Sequence, residues 1–197
     1  MTLSGLPPKQ GLYDPQFEHD SCGVGFVVHM KGKPSHEIVE QGLTILKNLE
    51  HRGAVGAEVN TGDGAGVLMQ VPDAFLRRVC REQGISLPAP HSYGVGMVFL
   101  PADDGERAQC EKLIEGIVAE EGQTLLGWRA VPTDDRTLGE TAKDVEPVVR
   151  QVFIGRGAGL ADDQAFERKL YVIRQRAAHA VTGMNLTQGD RFYVLSL

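Results

Sequence analysis

Glu18-His19-Asp20-Ser21-Cys22-Gly23-Val24-Gly25-Phe26 joins a short polar run to a run of small and apolar residues, with one cysteine at the junction. The second run is typical of a buried strand, where cysteine often serves as a small hydrophobe. Cleavage of the Ser21–Cys22 bond would instead give Cys22 a free α-amine. Such an amine has a reference pKa of about 7.7–8.0, against about 8.5 for the thiol, so it can act as the thiol's general base in N-terminal nucleophile catalysis. The residues by themselves leave a packed thiol and a nucleophile equally open.

The composition is that of an ordinary globular chain. Its 197 residues suffice for one domain or a piece of a larger one, and the net charge of −6 favours neither nucleic acid nor a membrane surface as partner. No apolar run approaches the ~20 residues of a transmembrane span, and residues 1–21 lack the basic and apolar regions of a signal peptide. The three cysteines, Cys22, Cys80 and Cys110, are widely spaced and predict neither a disulfide framework nor a zinc site. A cytoplasmic location follows as the expectation.

Single strands and helices alternate along the chain, which predicts a layered α/β or α+β domain. The first helix should begin after an N-cap at Ser35 and end where Gly53 takes the left-handed conformation. Cys80 and Cys110 are expected to pack inside helices. The apolar patterns predict strands at 23–30, 67–71, 91–100, 125–131, 148–154 and 191–197, and further helices at 73–83, 103–121 and 162–180.

Three further features carry possible chemistry. Thr61–Gly66 is rich in glycine, but it leads into a strand-like run and lacks the following lysine of a phosphate loop, which favours a tight turn. Arg52 directly precedes Gly53, so its guanidinium either binds a carboxylate through two hydrogen bonds or interacts with the helix dipole. The six histidines show no metal-binding spacing. Asp63 and Glu58 are explained by a solvated turn as well as by an acidic site.

Several motifs in one order resemble the start of the glutamate synthase large subunit. They are Glu18–Phe26, then Glu50-His51-Arg52-Gly53-Ala54, then Thr61-Gly62-Asp63-Gly64-Ala65-Gly66. Phe166–Arg174 and the closing Arg191-Phe192-Tyr193 are similar to that family's sequence farther along. The resemblance covers essentially the whole chain, and its motifs are specific as a set although each alone is weak.

The resemblance implies a class II glutamine amidotransferase domain with the α+β N-terminal nucleophile fold, a four-layer αββα sandwich present here only in part. Residues 1–21 would be a propeptide-like leader, and residues 22–197 the N-terminal portion of the domain, truncated at its C-terminal end. Cys22 would attack the side-chain amide of glutamine, and Arg52 would lie in the glutamine pocket. The family's Asn-Gly pair, which supplies the oxyanion hole, is expected beyond Leu197, so the isolated chain is predicted to be inactive. Glu58 departs from the aspartate expected at that place.

For the complete enzyme the resemblance implies reductive synthesis of glutamate from 2-oxoglutarate, using the ammonia released from glutamine. FMN and an iron–sulfur cluster would bind in the synthase part and not in this fragment. The implied partners are the remainder of the large subunit and a smaller NADPH-oxidising subunit. Two alternatives stay open: a non-catalytic binding or regulatory remnant that keeps its leader, and another N-terminal nucleophile amidohydrolase.

Overall fold

The computed structural model describes residues 9–11, 23–53, 58, 61–62 and 64–197. The chain divides into two compact units, Met1–Met69 and Gln70–Leu197. Each unit is described by itself.

The second unit is built on a four-stranded antiparallel sheet. Its strands are β1 (Tyr93–Leu100), β2 (Thr124–Ala130), β3 (Val148–Gly155) and β4 (Tyr193–Ser196), arranged in the order β2-β3-β1-β4. All three pairings in this sheet are antiparallel. The prediction of a layered domain is therefore confirmed as a mixture of helices and an antiparallel sheet. Strands were predicted at all four places, with bounds that differ by a few residues at most.

Five α-helices lie along the described chain. They are α1 (His36–Asn48), α2 (Asp73–Glu82), α3 (Asp104–Glu120), α4 (Glu140–Asp144) and α5 (Asp163–Thr182), with one-turn 3-10 helices at Glu50–Arg52 and Gly189–Arg191. The two long helices begin at aspartates that cap them, because Asp103 accepts a hydrogen bond from the Glu106 amide and Asp162 accepts one from the Ala165 amide. α4 was not predicted, since its five residues carry no periodic apolar pattern.

The main core lies between one face of the sheet and the pair α3 and α5. The predicted stripe along α5 is confirmed, because its apolar residues at helical spacing are all buried. Cys110 on α3 is fully buried in this core, and burial raises the pKa of its thiol to about 11. The buried members include Val98, Leu100, Val152, Ile154, Ile114, Val118, Phe166, Leu170, Ile173 and Ala177.

A smaller core lies on the opposite face of the sheet, beneath α2. Phe153 on β3 alternates with Val152 and Ile154 of the main core, so its side chain points to the other side of the sheet. It is packed there with Leu76, Cys80, Ile85 and Tyr93. Cys80 is fully buried, as predicted, and burial raises the pKa of its thiol. α2 covers only one end of this face.

α2 is fixed to the sheet by a polar network around Asp73. The Asp73 carboxylate accepts hydrogen bonds from Arg77 Nε at 2.9 Å and from the Tyr93 hydroxyl at 2.9 Å. Arg77 also donates to the backbone carbonyls of Leu87 and Pro88. The hydrogen bond from Arg77 lowers the pKa of Asp73, against a smaller opposing effect of burial, and the Tyr93 hydroxyl lowers it further.

This network should make stability depend on pH through Asp73. A lowered pKa in the folded state contributes stability above the unfolded value of about 3.9, and the contribution is lost as the pH falls through the folded value. We expect the urea midpoint to fall less steeply from about pH 5 to about pH 2 in Asp73→Asn than in the unsubstituted chain. Asp135→Asn, at an exposed loop position, is the matched control. Parallel pH profiles for all three proteins would contradict the role of Asp73.

Several expectations for the first unit are wrong. Residues 23–30 and 67–71 form no strand, because a strand needs a backbone partner and the described residues provide none for either run. Ser35 occupies the N-cap position of α1, but its side chain makes no capping hydrogen bond. Gly53 has φ −90°, so the chain leaves the helix through the 3-10 turn and not through a left-handed glycine.

Candidate functional site

Cys22, the predicted nucleophile, lies outside the described residues, and so does most of the predicted leader. The described chain resumes at Gly23, directly after it. In the run that follows, Val24, Phe26, Val28 and Met30 are largely exposed, whereas the intervening Val27 and His29 are half-buried. The cysteine therefore precedes a segment with the period of a strand and with its more apolar face exposed.

This segment lies against α1 within the first unit. Ile45 of α1 occupies the space in which a side chain at Gly25 would stand, so only glycine fits there without a shift. Val67 approaches α1 at Gly42, where an added Cβ would lie 3.9 Å from Val67 Cγ1. α1 thus lies close to both of the strand-like runs, which explains why its own residues are partly covered although none is fully buried.

The backbone of Arg52 lies in the 3-10 turn Glu50–Arg52. This turn begins directly after Leu49, the C-cap of α1. Its side chain lies outside what the structure describes, so both roles considered for its guanidinium stay predictions. The neighbouring His51 is exposed, and its Nδ1 lies 3.0 Å from the Asn48 carbonyl oxygen.

The turn that opens the glycine-rich segment is closed by Thr61 and Glu58. The Thr61 amide donates to the Glu58 carbonyl at 3.1 Å, and the Thr61 hydroxyl donates to the Glu58 carboxylate at 2.9 Å. No helix follows among residues 64–72, which removes the geometry that a phosphate loop requires. The observed turn precedes the glycine-rich run, so the tight turn expected over Thr61–Gly66 stays a prediction; Asp63 lies outside the described residues.

Among the residues that the structure describes, no three histidine, cysteine or carboxylate side chains converge to hold a metal ion. Within the same part of the chain, no helix combines the length and the apolar character needed to cross a bilayer.

The structure also brings together two polar residues that the sequence analysis missed. Arg129 on β2 and Gln151 on β3 lie opposite each other, and Arg129 Nη1 donates to Gln151 Oε1 at 2.8 Å. Arg129 is only 7% exposed. The sequence could have indicated that Arg129 lies apart from Trp128, because alternation along β2 places the two side chains on opposite faces of the sheet.

Comparison with known proteins supplies the family. A family model described as class-II glutamine amidotransferases matches residues 22–197. The chain belongs to this family. The match begins at Cys22, the residue predicted above to be the nucleophile.

The chain is similar to glutamate synthases over nearly all of its length. It is 49% identical over 197 residues to the glutamate synthase [NADPH] large chain of Bacillus subtilis, covering 100% of this chain and 13% of that protein. The large chain of Azospirillum brasilense is 40% identical over 187 residues, covering 94% and 12%, respectively. A ferredoxin-dependent glutamate synthase of Arabidopsis thaliana is 35% identical over 191 residues, covering 97% and 12%. The resemblance to glutamate synthase large subunits is confirmed, and the chain spans only a small part of the length of these relatives.

Proposed function

We propose that this chain is the N-terminal portion of the glutamine amidotransferase domain of a glutamate synthase, with Cys22 as its nucleophile and residues 1–21 as a leader removed on maturation. The observation that carries the proposal is the family match over residues 22–197, which begins at this cysteine. The two other cysteines support the assignment by contrast. Cys80 and Cys110 are buried in separate cores, and burial raises both thiol pKa values, so neither is suited to nucleophilic attack.

The proton transfers of the proposed reaction use the thiol, the α-amine and water. The α-amine of Cys22 takes the thiol proton, and the thiolate attacks the side-chain carbonyl carbon of glutamine. The tetrahedral intermediate collapses when the C–N bond breaks, and the α-amine returns the proton to the leaving nitrogen, which departs as ammonia. Water, deprotonated by the same amine, then hydrolyses the thioester to release glutamate and regenerate the thiol. Arg52 would hold the substrate's carboxylate through its planar guanidinium.

The exposed apolar surfaces support a four-layer sandwich as the complete fold. In the second unit, α3 and α5 cover one face of the sheet, and α2 covers only one end of the other. An αββα sandwich has its helices outside and buries both inner sheet faces. It would therefore remove from water the apolar side chains on the face of the sheet that α2 leaves open.

The remaining steps of a glutamate synthase belong to the longer polypeptide. The proposed ammonia acceptor is 2-oxoglutarate, with reducing equivalents delivered by an NADPH-oxidising small subunit. The described residues do not fit an iron–sulfur cluster, because they hold no convergent ligand set and Cys80 and Cys110 lie in different cores. We assign that cluster and FMN to the remainder of the large subunit.

The state of the N terminus tests the proposed function in the full-length protein. We expect intact-mass spectrometry to find a mature chain beginning at Cys22, which then carries the 1,2-aminothiol that condenses with a cyanobenzothiazole. The same preparation should release glutamate and ammonia from glutamine in equal amounts. A chain that keeps Met1–Ser21 and hydrolyses no glutamine would favour the non-catalytic remnant instead. A mature N terminus at another residue would refute the assignment of Cys22.

A further inference from the structure

Arg129 is a buried cation without a counter-charge among the described residues. Its one hydrogen bond goes from Nη1 to the neutral Gln151 side chain, and its buried Nε has no hydrogen-bond partner. The ion pairs that the described residues form all involve other cations. No other described residue has a buried side-chain nitrogen or oxygen left unsatisfied in this way.

The surroundings of Arg129 do not compensate for its burial. A guanidinium stays protonated in proteins, so the charge cannot be lost on burial. Its guanidinium carbon also lies 6.0 Å from the centroid of the Phe75 ring. Arg78 contacts the same ring at 5.7 Å, which places a second positive charge beside it. This is an environment that favours an anion.

The position of Arg129 indicates what kind of anion. It lies on the sheet face that carries Phe153, at the border between the end covered by α2 and the rest of the face. Beyond it, Met97 and Val149 are half-buried, and Tyr193 on β4 is 52% exposed. A partner that covers this surface must be largely apolar, with one negative charge placed opposite Arg129.

We propose that Arg129 binds the carboxylate of an aspartate or glutamate side chain, carried by the polypeptide layer that packs on this face of the sheet. The proposal rests on the four-layer sandwich proposed above and adds a charged contact to its apolar interior. The planar guanidinium suits a carboxylate, because two of its N–H groups can donate in parallel to the two oxygens.

The test uses the 197-residue chain and a pair of synthetic peptides. Ac-Ser-Val-Thr-Glu-Thr-Val-Ser-NH2 presents Val, Glu and Val on one face of a strand, and its counterpart carries Gln in place of Glu. The readout is the Nε–H resonance of Arg129 in a ¹⁵N-labelled chain. We expect the Glu peptide to shift this resonance saturably and to bind at least about tenfold more tightly than the Gln peptide, since only the carboxylate forms charge-assisted hydrogen bonds.

Variants and a small anion complete the test. Both Arg129 variants lack the guanidinium Nε–H, so peptide binding to them is measured by calorimetry. Arg129→Met should abolish the preference for Glu over Gln, whereas Arg129→Lys, which keeps the positive charge, should retain part of it. Arg136→Met, at a largely exposed arginine paired with Asp134, should leave the preference unchanged. Equal binding of the two peptides, or binding of neither, would overturn the proposal. Acetate binding as tightly as the Glu peptide would also overturn it, in favour of a site for free anions. None of these results depends on Cys22 or on glutamine hydrolysis.

Discussion

Neither the 197-residue chain nor a chain of residues 22–197 is expected to release ammonia from glutamine faster than a protein-free blank. The class-II mechanism, by resemblance, relies on an Asn-Gly pair for its oxyanion hole, and the sequence contains no Asn-Gly pair. Loss of a single oxyanion donor costs about 2.7–4 kcal/mol of transition-state stabilisation, or roughly 10²–10³ in kcat. A nucleophile without any of these donors should form its thioester too slowly to detect.

The measurement is a coupled glutamate and ammonia assay at high protein concentration. Cys22→Ala in the same chain is the control, because it removes the only thiol proposed to react. Indistinguishable rates for the two chains are expected. A burst of ammonia from the Cys22 chain that disappears in Cys22→Ala would contradict the prediction, and it would show that residues 22–197 suffice for attack on glutamine.

The second unit could be predicted almost fully from the sequence because its elements carry their own local signals. α5 has a capping aspartate at Asp162 and buried residues at helical spacing, and α2 is followed by Gly84 with φ +73°. Each helix buries its apolar stripe against a sheet in the same unit, so local pattern and tertiary environment agree. α4 was missed because five residues carry too little pattern to show a period.

The first unit was predicted less well because a strand is not a local structure. Residues 23–30 have the composition and the period of a strand, and the alternating exposure of Val27 and Phe26 shows that the period is real. Whether such a run becomes a strand depends on a neighbouring backbone that hydrogen-bonds to it, which the run's own sequence does not specify. The helix α1 was predicted correctly since its hydrogen bonds are internal.

The candidate site shows the same division between local and non-local information. The sequence predicts Cys22 as a candidate nucleophile through its possible α-amine, and that role stays a prediction; the family match begins at this residue. The sequence analysis did not identify Arg129, although alternation in the predicted strand places this arginine on the face opposite its neighbour Trp128. The burial of that arginine depends on α2. Phe75 of this helix contacts Arg129, although it lies 54 residues earlier in the sequence.

Truncation of Phe153 is the substitution expected to cost the described fold most. Phe153 is fully buried and lies in the smaller core with Leu76, Cys80 and Ile85. Its register partner on β2 is Gly127, which has no side chain to fill a void, and Ile85 already packs over that glycine. Phe153→Ala should therefore leave a cavity that collapses poorly, so we expect a loss of about 3–5 kcal/mol in the free energy of unfolding.

Urea and thermal unfolding, followed by circular dichroism, would measure this loss. For a chain of this size it corresponds to a fall in Tm of roughly 6–20 °C. Tyr171→Ala is the control, because it also truncates an aromatic ring but at a position on α5 that is 59% exposed, and it should change stability by less than about 0.5 kcal/mol. Equal effects of the two substitutions would show that the α2 core does not stabilise the sheet. A large effect of Phe153→Ala alone would establish that α2 is part of the cooperative unit that carries Arg129.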